Sequence, residues 1–182
     1  MENKRKLLTF VAPEIVFGAG AIELAGQYAK NLGAKKVLLV TDPGVGAAGW
    51  VTRATDSLTA LRIPYVLFDA VTENPKAPEV AAGVALYESA GCNMIVAIGG
   101  GSPMDCGKAI GIVASNRRNI LQFEGVDRIQ KPIPPLVCIP TTAGSSADVS
   151  QFCIIADPDR RMKMAIVSKA VVPAAALIDP QT

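Results

Sequence analysis

Four short apolar runs recur along the chain, and the segments between them show helical periodicity. The runs are KVLLV (36–40), YVLFD (65–69), MIVAI (94–98) and PLVCIP (135–140). In three of the intervening segments, apolar residues share one helical face. The second of these segments opens at Pro78. The three faces consist of Val51, Ala54, Leu58 and Leu61; of Val80, Val84 and Tyr87; and of Cys106, Ala109, Ile110 and Val113. Strands that are apolar on both faces, separated by amphipathic helices, predict an α/β fold with a Rossmann-like parallel sheet flanked by helices.

The two ends of the chain follow a different pattern. FVAPEIVFG (10–18) and QFCIIAD (151–157) have strand character without an adjoining strand–helix unit. DPDR (157–160) has the residues of a tight turn and joins FCIIA to KMAIV (163–167). We therefore expect an additional β-hairpin and an N-terminal strand beside the parallel sheet.

Composition narrows the class of protein. With 182 residues, half of them hydrophobic, the chain can form one domain of ordinary size. The net charge of +2 and the few aromatic residues argue against nucleic acid as a partner. No apolar run approaches the roughly 20 residues of a membrane span. Pro13 and Glu14 interrupt the N-terminal apolar segment, so we expect neither a signal peptide nor a membrane partner, and a cytoplasmic location.

The four cysteines, Cys92, Cys106, Cys138 and Cys153, are widely spaced and form no CxxC pair. We expect reduced thiols that pack as small hydrophobic side chains. The sequence contains no histidine, so it lacks the imidazole ligands of a zinc or iron site.

The glycine-rich stretch GGGSPMDCGKA (99–109) follows the most apolar strand directly. Ser102 is a candidate N-cap, Pro103 suits the first helical position, and Asp105 completes a capping box. Glycines let the backbone approach a ligand closely, and a helix N-terminus offers free N–H groups to phosphate. The pattern favours binding of a phosphate group at this loop.

Two other glycine-rich segments are weaker candidates. GVGAAG (44–49) is a literal GxGxxG, and Asp69 lies 20 residues beyond Gly49. However, TDP (41–43) separates it from the strand and Pro43 lacks an N–H, so this loop stays as the alternative. GAGAIELAG (18–26) has Glu23 in place of the third glycine and is typical of a turn into a helix.

Taken together, six stretches resemble the iron-dependent (group III) alcohol dehydrogenase family, which shares its fold with dehydroquinate synthase. They are FGAG (17–20), VTDPG (40–44), ENPK (73–76), GGGSPMDCGKAI (99–110), IPTTAGSSADVS (139–150) and VVPAAALIDP (171–180). The resemblance implies that residues 1–182 form an N-terminal NAD-binding α/β domain. The family's metal ligands, an Asp and three His, lie in a C-terminal helical domain. By this resemblance they would lie beyond Thr182, and that domain is then absent from this chain.

The resemblance also implies which residues contact NAD. Gly100, Gly101 and Ser102 would hold the pyrophosphate, with Asp105 in the same motif. Asp42 would accept hydrogen bonds from the adenosine ribose. The adenine and ribose side would be lined by Thr141, Thr142, Ser150 and Phe152. The nicotinamide end would be reached by Asn74 and Lys163, and we expect the cation of Lys108 on the cofactor as well.

As a member of this family, the whole enzyme would interconvert alcohols and aldehydes or ketones by hydride transfer, with Fe²⁺ or Zn²⁺ as the Lewis acid and as a homo-oligomer. The fragment alone would bind NAD without turnover. Two alternatives remain at this stage: the nucleotide-binding domain of a Zn-dependent glycerol or polyol dehydrogenase, and a stand-alone nucleotide-binding module. The sequence does not identify the alcohol or aldehyde substrate.

Overall fold

A six-stranded sheet organises the computed structural model, which describes residues 11–182. Its strands are β1 (Glu14–Phe17), β2 (Val37–Val40), β3 (Tyr65–Phe68), β4 (Met94–Gly99), β6 (Leu136–Pro140) and β9 (Ala175–Ile178). The strand order is β1-β9-β6-β4-β2-β3, and every neighbouring pair is parallel. The parallel sheet expected from the apolar runs is therefore confirmed.

Helices cover both faces of this sheet. They are α1 (Ala25–Asn31), α2 (Pro43–Ala47), α3 (Trp50–Ala60), α4 (Ala77–Ser89) and α5 (Gly101–Asn116), with short 3₁₀ turns at Ala21–Leu24, Ile120–Phe123 and Lys169–Val171. Alternate residues of each central strand enter separate cores. In β2, Leu38 and Val40 pack with the helices α4 and α5, while Val37 and Leu39 pack with α1 and α3. Burial on both faces explains why these strands are uniformly apolar.

A second sheet has three strands. β7 (Phe152–Asp157) and β8 (Met162–Val167) form the expected hairpin, an antiparallel pair in which Ile154 faces Ala165. β5 (Gly125–Val126) joins the other side of β8, so the order is β5-β8-β7. The inner face of the hairpin, which includes Cys153 and Ile155, packs into the core beside α4 and α5.

The strand β9 was not predicted from the sequence. It lies between β1 and β6, and so it brings the expected N-terminal strand into the main sheet. Its sequence, AALI, is rich in alanine, which has high helix propensity and low strand propensity. Pairing with β1 and β6 overrides that preference.

The remaining local predictions agree closely with the structure. α4 begins at Ala77, one residue before Pro78, and α3 and α5 include the expected buried faces. All four cysteines are free and buried. Among the residues from 11 onward, no helix is long and apolar enough to cross a membrane. Residues 1–10, on which the expectation about a signal peptide partly rests and which include the first residue of the 10–18 strand, lie outside the described range.

Candidate functional site

The direction of the strand order reverses between β2 and β4. From β2 the chain adds β3 on one side and then returns to add β4 on the other. In open parallel sheets, the loops that leave two such strands diverge and open a crevice at their carboxyl ends. Here the first loop carries Asp42 and the second carries the glycine loop, defined as Gly99–Ser102.

Two adjoining depressions occupy this crevice. The main cleft, about 690 Å³, is lined by Asp42, Pro43, Gly44, Val45, Val71, Thr72, Glu73, Gly100, Gly101, Ser102, Pro103, Thr141 and Thr142. The side pocket, about 340 Å³, is lined by Glu73, Asn74, Pro75, Gly101, Ser102, Asp105, Ile154, Ala156 and Lys163. The glycine loop borders both, so one elongated ligand can contact it while it occupies both spaces.

Side chains would be crowded in the glycine loop. Gly99 has φ +142°, and a Cβ there would lie 2.7 Å from Pro103 Cγ. A Cβ on Gly100 would lie 3.2 Å from Thr142 Oγ1, and one on Gly101 would lie 3.2 Å from Ser145 Cβ. The bare backbone therefore forms the floor between the two depressions, as close approach of a phosphate requires.

The predicted capping of α5 is wrong. The N-cap is Gly100, and the helix begins at Gly101, so Ser102 and Pro103 occupy the second and third helical positions. The Ser102 Oγ accepts a hydrogen bond from the Asn74 N–H at 3.3 Å instead of capping the helix. The glycines allow the chain to turn directly from β4 into α5, so the helix starts before the residues that resemble a cap.

The alternative loop, GVGAAG, forms a different structure. Pro43–Ala47 make up the short helix α2, and a Cβ at Gly46 would meet nothing within 4 Å. Gly46 therefore has room for a side chain, although a Cβ at Gly44 would lie 3.2 Å from Asp42 Oδ1 and Gly49 has φ +85°. Of this segment, only Gly44 and Val45 border the main cleft, together with the preceding Pro43.

Asp42 stands at the carboxyl end of β2 and caps α2. Its Oδ1 accepts from the Val45 N–H at 3.0 Å. Its Oδ2 lies on the side of the glycine loop, 3.3 Å from where a Cβ of Gly99 would stand. The cap fixes the carboxylate, and the partly buried side chain borders the main cleft.

Asp105 is a partly buried carboxyl group in the wall of the side pocket. Burial raises its pKa from 3.8 to about 6, although the Lys108 cation and the Ile154 N–H both act to lower it. It does not form the predicted capping box, because α5 begins at Gly101 and Asp105 therefore lies in its second turn.

The expectation for Lys108 is wrong. Its side chain is completely buried, and its Nζ donates to the carbonyl oxygens of Ser150 at 3.0 Å and Phe152 at 2.7 Å. It borders neither the main cleft nor the side pocket. The position on α5 that faces away from the crevice explains the difference, and only the tertiary structure reveals it.

The other expected residues divide into two groups. Thr141 and Thr142 border the main cleft, and Asn74 and the exposed Lys163 border the side pocket. Ser150 and Phe152 border neither depression as residues 11–182 form them. Their backbone carbonyls bind Lys108, and the Ser150 Oγ accepts from the Phe152 N–H at 3.4 Å.

Sequence reasoning included ENPK (73–76) among the family-like stretches but did not assign Thr72 or Glu73, in the segment after β3, to the site, and both border the main cleft. Glu79 of α4 holds this segment, because it accepts from the Thr72 N–H and hydroxyl at 3.1 and 2.7 Å. Burial acts to raise the pKa of Glu79, but hydrogen bonds from Thr72 and Lys76 outweigh it, so the pKa is lowered. The turn-forming ENP at 73–75 was the available signal, because loops at strand carboxyl ends form such sites.

A catalytic metal does not fit the described residues. Nowhere in residues 11–182 do three or more His, Cys, Asp or Glu side chains converge as metal ligands. The four buried thiols have raised pKa values because they are buried, which disfavours the thiolate form that binds metals.

Thr182, beyond which the family's metal ligands are expected, packs at the carboxyl end of β6. Its Oγ1 lies 2.8 Å from the carbonyl oxygens of both Pro140 and Asp179, to which the hydroxyl donates. Thr182 thus serves as a structural contact beside the loop that carries Thr141 and Thr142, and it borders neither the main cleft nor the side pocket. The position of the metal ligands beyond Thr182 stays a prediction.

Comparison with known proteins gives a consistent result. Residues 12–180 match the family described as iron-containing alcohol dehydrogenase. The chain is 36% identical over 178 residues to a 1,3-propanediol dehydrogenase of Klebsiella pneumoniae, covering 96% of this chain and 46% of the relative. It is 34% identical over 172 residues to an NAD-dependent methanol dehydrogenase of Bacillus methanolicus, covering 94% and 45%.

The solved structures agree. A crystal structure of 1,3-propanediol oxidoreductase superimposes with a TM-score of 0.94 and 36% identity, over 97% of this chain and 46% of that one. The chain thus spans about half the length of the relatives it matches.

Proposed function

Since the chain belongs to the iron-containing alcohol dehydrogenase family, we propose that it binds NAD across the crevice between β2 and β4. The observation that carries the proposal is the glycine loop, where bare backbone separates the main cleft from the side pocket. A dinucleotide has its pyrophosphate at its centre and a nucleoside at each end. It therefore fits a loop that borders two depressions.

The adenosine half is assigned to the main cleft. The pyrophosphate lies against Gly100, Gly101 and Ser102, where the first N–H groups of α5 are free to donate. The free Oδ2 of Asp42 accepts from the ribose diol, because Oδ1 is held by the α2 cap. Thr141 and Thr142 lie on the opposite wall.

The nicotinamide half is assigned to the side pocket. Asn74 and Lys163 border it and offer an amide and an ammonium group to the ribose or carboxamide. Bound NAD supplies the carbon that accepts or returns a hydride. The residues of this chain bind and orient the dinucleotide, and the backbone N–H of Asn74 donates to the Ser102 Oγ at 3.3 Å.

The whole protein is proposed to interconvert an alcohol and a carbonyl compound with NAD. Two relatives, named for 1,3-propanediol and for methanol, support this class of substrate. The metal ligands that the family name implies are not provided by residues 11–182.

Amide chemical-shift mapping tests the binding proposal. We expect NAD to shift the resonances of residues at the carboxyl ends of β2, β4 and β6, with those of α1 as an internal control. Shifts confined to other surfaces, or no shifts at millimolar NAD, would refute the proposal.

We also propose that the chain by itself does not turn over alcohols, because it contains no histidine to hold the electrophile that stabilises an alkoxide. The purified chain is assayed with NAD, Fe²⁺ or Zn²⁺ and a panel of primary alcohols and diols. Metal-dependent formation of NADH would contradict this expectation.

A further inference from the structure

Lys108 is a buried cation that the proposed function does not use. Its side chain is 0% exposed, and it lies in the second turn of the helix that begins at the glycine loop. Burial of an ammonium group is costly unless hydrogen bonds and opposite charge compensate for it. Two carbonyl oxygens and the neighbouring Asp105 carboxylate provide that compensation.

The partners of Lys108 lie along the outer edge of β7. This strand ends the β5-β8-β7 sheet, so its outer backbone groups have no partner strand. Lys108 donates to the Phe152 carbonyl, the Cys153 Sγ donates to the Asp105 backbone carbonyl at 3.3 Å, and the Ala156 N–H donates to the Pro75 carbonyl at 2.8 Å. A donor and an acceptor three residues apart on α5 thus bind neighbouring residues of β7.

This arrangement joins the two walls of the side pocket. One wall is the start of α5, with Gly101, Ser102 and Asp105, and the other is the hairpin, with Ile154 and Lys163. Because Lys108 and Asp105 attach β7 to α5, they set the distance between these walls.

We propose that Lys108 is a positioning residue, which holds the edge of β7 against α5 and so aligns the nicotinamide side of the site with the glycine loop. The statement about alignment rests on the proposed function. The attachment of β7 does not, and it can be tested without cofactor.

Hydrogen exchange of the chain without NAD tests the attachment. Lys108→Met keeps the length of the side chain but removes every donor, and Lys108→Arg keeps charge and donors. Lys30→Met, on the exposed surface of α1, is the matched control.

In Lys108→Met we expect the Ile154 and Ala156 amides to exchange at least about tenfold faster, with β4 amides unchanged, because loss of the charged donor frees the strand edge. Lys108→Arg should restore protection. Unchanged β7 exchange, or equal acceleration in β4 and β7, would overturn the proposal. If Lys108→Met does not fold, Lys108→Gln, which is shorter and uncharged, is judged by the same criteria.

Calorimetric titration with NAD and ADP tests the alignment, because ADP lacks the nicotinamide half. In Lys108→Met we expect NAD affinity to fall about tenfold while ADP affinity stays within about twofold. Equal losses for both ligands would overturn the alignment. If the wild-type chain binds neither ligand, the proposed function fails, and hydrogen exchange still decides whether Lys108 holds β7.

Discussion

Asp42 combines two tasks that a single carboxylate can perform because its two oxygens are separate acceptors. Oδ1 caps α2 through the Val45 N–H, and Oδ2 remains available on the side of the glycine loop. A residue chosen only for the cap could as well be Asn, Ser or Thr. The negative charge of Asp42 is therefore explained by binding of a ligand and not by capping of α2.

We expect the wild-type chain to bind NAD more tightly than NADP, because a 2′-phosphate beside Asp42 adds repulsion of about 1–4 kcal/mol. Asp42→Asn keeps the cap and removes the charge, so it should narrow the preference without lowering the midpoint of thermal unfolding. Calorimetric titration with NAD and with NADP measures the two affinities in each variant. Equal affinities in the wild type would show that Asp42 does not face the ribose.

Asp105 should make the stability of the chain depend on pH. Its pKa, raised to about 6 in the folded state, exceeds the unfolded value of 3.8, so the folded chain keeps a proton that the unfolded chain has lost. The contribution of this group to the free energy of unfolding is therefore complete at low pH. It falls as the pH rises through the window between these values, by on the order of 2–3 kcal/mol.

Asp105→Asn is neutral throughout and removes this dependence. Relative to the wild type, the variant should gain stability between about pH 4 and about pH 7.5, as measured by denaturant unfolding at both values. A stability difference that is independent of pH would show that the Asp105 carboxyl is not destabilised by burial.

At the level of elements, the carboxyl end of β9 is tied to the loop after β1 by one buried side chain. Asp179 accepts from the Gly20, Ile22 and Gln181 N–H groups at 2.9, 3.4 and 3.0 Å. Its side chain is 0% exposed, and Arg53 lies 3.9 Å away. This contact fixes the start of the 3₁₀ turn at Ala21–Leu24, which precedes α1.

We expect Asp179→Ala to lower the free energy of unfolding by about 2–4 kcal/mol, because it leaves buried N–H groups without an acceptor. The matched control is Glu23→Ala, which removes an exposed partner of the same Arg53 and should cost less than about 1 kcal/mol. Urea unfolding measures both variants. Similar losses would show that the Asp179 hydrogen bonds contribute little.

The sequence was sufficient to predict elements whose own residues determine them. The apolar runs of β2, β4 and β6 and the hairpin turn carry their signal locally. β9 could not be predicted, because AALI becomes a strand only through its neighbours β1 and β6. The cap of α5 was misplaced for a related reason: the geometry of Gly99 and Gly100 moves the helix start ahead of Ser102.

The site residues likewise differ in whether the local sequence or the tertiary structure determines their position. The glycine loop was predicted from glycines that follow an apolar strand, and Asp42 from the family resemblance, and both border the main cleft. The orientation of Lys108 was not, since it depends on where β7 packs against α5. Sequence patterns thus predict which loops reach the crevice, but not which of their side chains face it.

For the whole molecule, the central proposal is that the crevice between β2 and β4 binds NAD through the glycine loop. The chain offers two glycine-rich segments at that crevice, and they differ in the space around Gly101 and Gly46. A side chain at Gly101 would meet Ser145, whereas one at Gly46 meets nothing within 4 Å.

The most direct measurement is calorimetric titration of NAD into the wild type, Gly101→Val and Gly46→Val, with circular dichroism to verify that each is folded. If the glycine loop binds the pyrophosphate, Gly101→Val should lose detectable NAD binding, because the new side chain occupies the space that the pyrophosphate needs. Gly46→Val should bind NAD with near wild-type affinity. Retained NAD binding in a folded Gly101→Val variant, together with loss of binding in Gly46→Val, would contradict pyrophosphate binding at the glycine loop. The pyrophosphate would then be assigned to GVGAAG.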